Sequence, residues 1–111
     1  VLDAWIAPGA HVSSVGVGHE LDAATVARAD VFVESVAALQ APPAGTEELQ
    51  GRDPSTVTEI GAVFSGAAPG RSSADAVTVY KSMGHAVEDL AAASVVLARA
   101  RAQGRGTTIV L

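Results

Sequence analysis

Three histidines, a few serines and two glycine-rich turns are the residues of this chain whose types and spacing could carry chemistry. Gly16-Val17-Gly18 lies where an extended stretch gives way to a helix-prone one, the position of a dinucleotide-binding loop. The fingerprint needs another glycine three residues after the second, and that position is Leu21. A tight strand-to-helix turn is therefore the plainer reading. Residues 66–73, Gly-Ala-Ala-Pro-Gly-Arg-Ser-Ser, could cradle a phosphate through backbone amides with help from Arg71. They lack the Gly-Lys-Ser/Thr ending of a P-loop, and an ordinary surface loop accounts for them. His11, His19 and His85 have no H-x-x-x-H spacing, so no metal site is expected. Structural roles suit them, with proton transfer by His19 or His85 left open. Ser13, Ser14 and Ser82 sit in no G-x-S-x-G elbow, which argues against a hydrolase nucleophile. Glu88 and Asp89 are explained as acids in the first turns of a helix.

The elements that must position these residues follow from local pattern. His11 to Val15 mixes β-branched and small residues and stops at Gly16, as a short buried strand does. Leu21-Asp22 opens a helix over Ala23 to Ala29, with Asp22 as its cap. Val31-Phe32-Val33 is a second buried strand ending at Glu34-Ser35. Strand, helix and strand in so short a span imply parallel pairing. Ala41 to Pro54 is a Pro- and Gly-rich loop with one helical turn near Glu47 to Leu49. Thr58 to Phe64 reads as a short helix ended by Gly66, and Ala76 to Tyr80 as a third strand. A long helix runs from about His85 to Gln103, acidic at its start and basic at its end. Its middle, Leu90 to Ala98, is apolar nearly all round, so it should be covered on one side here and need a partner on the other. Thr107 to Leu111 reads as a final strand. The order places the chain in the α/β class, as part of an open parallel sheet.

Composition narrows the function classes. With 111 residues the chain holds one domain at most. Some 49% of residues are hydrophobic, 17% are charged and net charge is −5, so neither disorder nor a nucleic-acid-binding face is expected. Cysteine is absent, which removes disulfides and thiolate chemistry and fits a reducing, cytoplasmic compartment. The opening residues carry no secretory signal, and the apolar run of the last helix is too short to span a bilayer, so no membrane partner is expected. A first residue other than Met and a terminal strand without a mate suggest a fragment of a longer protein.

Residues 76–93, Ala-Val-Thr-Val-Tyr-Lys-Ser-Met-Gly-His-Ala-Val-Glu-Asp-Leu-Ala-Ala-Ala, closely resemble a signature of the ornithine cyclodeaminase/mu-crystallin family. Residues 7–16 resemble that family's P-G-x-H-[IV]-N-A-[IV]-G strand. Between them, Glu20-Leu21-Asp22, the run from Thr58 through Gly66, and Pro69-Gly70-Arg71 follow in the family's order. The resemblance implies residues 1–83 as part of an NAD(P)-binding Rossmann-type domain, its second half. It implies residues 84–111 as a helix and strand that return to a substrate and dimerisation domain absent from this chain. It also implies a homodimeric parent enzyme, NAD or NADP as cofactor, and a small amino or imino acid as substrate.

Residue by residue, Ser13, Ser14, Val15 and Gly16 match the family's N-A-V-G segment on the nicotinamide side of the dinucleotide, with Ser13 in place of Asn. Ser82 matches a serine that contacts the cofactor, and Met83 a neighbour that faces the substrate. The catalytic Asp of the cyclodeaminases has no match: its place falls at Gly18, in a shortened loop. Glu20 is expected to point away into the helix turn, leaving His19 as the proton donor. These features suit a ketimine or pyrroline-carboxylate reductase better than an ammonia lyase acting through bound NAD. A non-enzymatic binding protein of the mu-crystallin type is a third reading. On its own, this portion is expected to be inactive.

Overall fold

The computed structural model describes residues 1–110; Leu111 lies outside the described residues. Four strands form one parallel sheet: β1 (His11–Val15), β2 (Asp30–Val33), β3 (Val57–Glu59) and β4 (Thr78–Ser82), in the spatial order β1-β4-β2-β3. The last strand in sequence therefore sits between the first two, and β1 and β2 do not pair with each other. Parallel pairing puts every carboxyl end on the same edge, which is where open α/β sheets gather ligands.

Alternation along the strands sorts the residues onto two faces. Val31 and Val33 of β2, Val79 and Lys81 of β4, and Ser14 of β1 stand in register on one face and are all buried. That face packs against Leu21, Leu39, Leu49 and α1 (Ala23–Arg28), which contributes Val26. Asp22 caps α1 as expected: its carboxylate accepts the Thr25 amide at 2.9 Å and, with its other oxygen, the Asp3 amide at 3.0 Å. The Asp3 and Thr25 hydrogen bonds hold its pKa down at about 2. On the opposite face, α2 (Ile60–Phe64) lies beside Phe32, His11 and Thr78.

Two expectations shift in detail. The final strand of the sheet begins two residues later than Ala76 and runs through Lys81 and Ser82, because the lysine finds carboxylate partners inside the fold. The segment read as a helix from Thr58 is first a strand: Val57–Glu59 pairs with Val31–Val33, and only then does the backbone coil. Three residues are too few for a period to reveal themselves as a strand.

The long helix forms where expected, as α3 (Ala86–Ala102), with Gly104 at φ 61° behind it. The expectation that one side of it would be covered is not met. No residue of α3 is buried, and Leu90 and Val96 are each 66% exposed. The radius of gyration, 17.3 Å, exceeds the value of about 13 Å expected of a compact chain this long, because α3 projects from the sheet. Of the strand expected over Thr107–Leu111, residues 107–110 form none, since no strand among the described residues offers them a ladder, and Leu111 lies outside the described residues.

Candidate functional site

The carboxyl edge of the sheet joins segments that are far apart in sequence. Val15 pairs with Ser82 in the β1/β4 ladder, and the Gly16 amide donates to the Ser82 carbonyl at 3.2 Å. Ser13, Ser14, Val15 and Gly16 thus end beside Ser82 and Met83. Gly16 has φ +133°, a conformation that side chains disfavour, and a Cβ there would stand 3.3 Å from the Glu20 carboxylate. The two serines of β1 point to opposite faces: Ser13 is exposed, and Ser14 is buried. A cleft of about 470 Å³ beside them is lined by Val12, Ser13, Val15, Glu20 and Leu21.

Beneath this edge lies a group that pattern reading did not single out. Lys81 is fully buried, and its ammonium reaches Glu48 at 2.8 Å, Ser14 Oγ at 2.9 Å and Glu20 at 3.2 Å. Its three N–H donors are therefore all engaged. The Glu48 side chain is itself buried, at 1% exposure. Its other oxygen accepts the Glu20 amide and, at 2.6 Å, the Leu21 amide, so it also fixes the turn into α1. The expectation that Glu20 points away into the helix turn is not met. Its carboxylate swings back to accept from the Ser14 hydroxyl and from Lys81, and these contacts lower its pKa. The alternation that buries Val79 also buries Lys81, and a lysine on a core face demands an acidic partner. That signal was present in the sequence; which acids would answer it was not.

A second carboxylate organises the exit from β4. Glu34, just past the end of β2, accepts from the Ser82 hydroxyl, the Met83 amide at 2.8 Å and the Gly84 amide at 2.9 Å. Burial alone would raise its pKa, but the Met83, Ser82 and Gly84 hydrogen bonds outweigh it and keep the group anionic below the usual carboxylate range. Met83 packs against the sheet core. Tyr80, on the Ser82 side of β4, has its phenol pKa raised by burial and by the charges of Glu34 and Glu88.

The histidines are scattered. His19 is an exposed loop residue whose Nε2 lies 3.1 Å from the Glu47 carboxylate, and such a surface contact fixes a side chain only weakly. His11 Nδ1 pairs with Thr78 Oγ1 at 2.7 Å, near the opposite end of the strands. His85 precedes α3 without capping it through its side chain. Among the described residues no cluster of three potential metal ligands occurs. Arg71 does not cradle an anion: its guanidinium binds the Gly9 and Ala76 carbonyls, each at 2.6 Å, and ties loops at the amino ends of β1 and β4.

Comparison with known proteins agrees with this arrangement. The pattern of the ornithine cyclodeaminase/mu-crystallin family matches residues 1–104. The chain belongs to that family. It is 41% identical over 97 residues to the ketimine reductase mu-crystallin of Mus musculus, covering 83% of this chain and 29% of that relative's length. Its fold is similar to that of Thermococcus litoralis Δ1-pyrroline-2-carboxylate reductase, solved in complex with NADH and L-proline. The TM-score is 0.78 at 27% identity, over 98% of this chain and 36% of that one. An archaeal alanine dehydrogenase dimer with bound NAD gives a TM-score of 0.75 at 28% identity, over 100% of this chain and 37% of that one. The chain thus spans roughly a third of the length of these relatives, and its sheet is of the kind found in NAD-dependent members of the family. Among the described residues no helix is long and apolar enough to cross a membrane.

Proposed function

We propose that the protein carrying this chain reduces a small cyclic or open-chain imino acid with NAD(P)H, and that this chain supplies one wall of the site. The observation that carries the reading is the hydrogen bond from the Gly16 amide to the Ser82 carbonyl. It draws the two family motifs, otherwise 66 residues apart, to one point on the carboxyl edge of a parallel sheet. The residues fit a flat, partly apolar ring. Val15 is 66% exposed and Gly18 offers no obstructing side chain. The dinucleotide, when bound, supplies the hydride. Residues 13–16 and Ser82 would line its nicotinamide end, and Met83 would face the substrate. His19 is the proton donor in this reading; Glu47 must release it first, which the exposure of the pair permits.

The loop between Gly16 and Leu21 favours reduction over deamination. Elimination of ammonia needs a held base that removes a proton and later returns it. Gly18 stands at the family's Asp position, and Glu20 is committed to Ser14 and Lys81. The reading extends to a cytoplasmic homodimer whose remaining portion covers α3, supported by the exposed Leu90, Val96 and Leu97.

The test is to assay the complete protein for reduction of a cyclic imino acid with NADH and NADPH, and for conversion of ornithine to proline. Reduction with little deamination is expected. Efficient deamination would overturn the assignment, and an undiminished His19→Ala reductase would relieve His19 of its role.

A further inference from the structure

We propose that Glu34 is a positioning residue that turns the Ser82 hydroxyl into an acceptor only, so that this wall selects a ligand group bearing an N–H donor. The inference rests on the reductase reading and adds to it the chemistry that Ser82 recognises.

A serine hydroxyl has one hydrogen and two lone pairs. An ionised carboxylate has no hydrogen to give, so in the Ser82–Glu34 pair the hydroxyl must donate. What Ser82 can offer outward is then its lone pairs. The same carboxylate also takes the Met83 and Gly84 amides, at 2.8 and 2.9 Å, leaving neither for an anion. Two consecutive amides thus converge on one carboxylate, and Gly84, at φ +74°, turns the chain that follows them. The exit from β4 therefore carries a negative charge and lone pairs where a loop before a helix would ordinarily present amides. It repels a substrate carboxylate, whose binding groups must come from elsewhere. It favours an N–H donor, above all a cationic one such as a protonated imine.

Two groups share that chemistry in an imine reductase, the carboxamide of the dinucleotide and the iminium of the substrate. The complete protein and its Glu34→Gln, Glu34→Asp and Ser82→Ala variants distinguish them. In Glu34→Gln the side-chain amide can donate to Ser82, freeing the hydroxyl hydrogen to turn outward. Loss of one such hydrogen bond is worth about tenfold. A roughly tenfold weaker dinucleotide affinity, read by NAD(P)H fluorescence, assigns the carboxamide. A similar rise in KM for the imino acid with dinucleotide affinity intact assigns the iminium. Glu34→Asp, which keeps the charge, should recover part of the loss. Glu34→Gln and Ser82→Ala should not add, because one acts through the other. Amide exchange at Met83 and Gly84 should accelerate in Glu34→Gln while β2 and the body of β4 stay protected. If Glu34→Gln fails to fold, Glu34→Asp and Ser82→Ala carry the same comparison.

If the wild-type protein binds neither dinucleotide, the reductase reading falls and the ligand assignment with it. If it binds them and Glu34→Gln or, where that variant does not fold, Ser82→Ala changes neither affinity nor KM, the proposal alone is overturned.

Discussion

The sheet and α3 spend their polar and apolar residues in opposite ways. Central strand β4 hides the chain's only lysine completely, among a serine and two carboxylates. Seventeen residues of α3 bury nothing, although Leu90, Val95, Val96 and Leu97 are among them. A charge is tolerated inside because the fold brings partners from distant segments within reach of it. Apolar side chains of α3 stay outside because nothing among the described residues is placed to meet them. The difference teaches that burial here follows the supply of partners rather than hydropathy.

The largest effect expected from disturbing that contrast is at Lys81. Lys81→Ala should cost about 3–5 kcal/mol in urea unfolding, since Glu48 would be left buried without its counter-charge. Lys81→Met combined with Glu48→Leu should recover most of the loss, because an apolar pair of similar volume avoids the desolvation of both ions. A Lys81→Ala protein as stable as its parent would show that the ammonium contributes little to the core.

The helix should respond the other way. In the 111-residue chain, replacing Leu90, Val96 and Leu97 with serine should change unfolding free energy by no more than about 0.5 kcal/mol per site, as for exposed positions generally. The same triple variant should reduce self-association seen by light scattering, because an exposed apolar patch is what draws copies together. Cooperative destabilisation of the sheet by these changes would mean that α3 packs on it in solution.

A smaller effect lies at the start of α1, between the two regions in character. The folded pKa of Asp22, about 2, is lower than its ordinary value of 3.8. Its contribution is therefore complete above the ordinary value and is lost as pH falls from there through about 2. Amide exchange at Thr25 should accelerate over that window in the wild type, and Asp22→Asn should largely remove the dependence. Equal acid sensitivity in both would place the cause elsewhere.

Much of the sheet was legible from local pattern. β1 and β2 are apolar runs closed by a glycine and by a Glu-Ser pair, and the Asp22 cap and the length of α3 follow from residue types alone. β3 was not legible, because three residues give no period and its edge pairing with β2 is what makes it a strand. Of the candidate site, the motif segments ending at Gly16 and beginning at Ser82 could be named, whereas Glu34 and the Glu20–Lys81–Glu48 cluster could not. Hydrogen bonds between residues 28 to 67 positions apart leave no trace in spacing.

By itself the sequence determined the α/β class, the family, the capped α1 and an α3 too apolar to be a solvated helix, because those depend on residue types and near neighbours. Only the tertiary structure decided that β4 lies between β1 and β2, that Lys81 is interior, and that Glu34 claims the donors of Ser82, Met83 and Gly84. Strand order and carboxylate partners are set by which distant surfaces fit together, and a hydrogen bond forms with whatever the fold brings within reach.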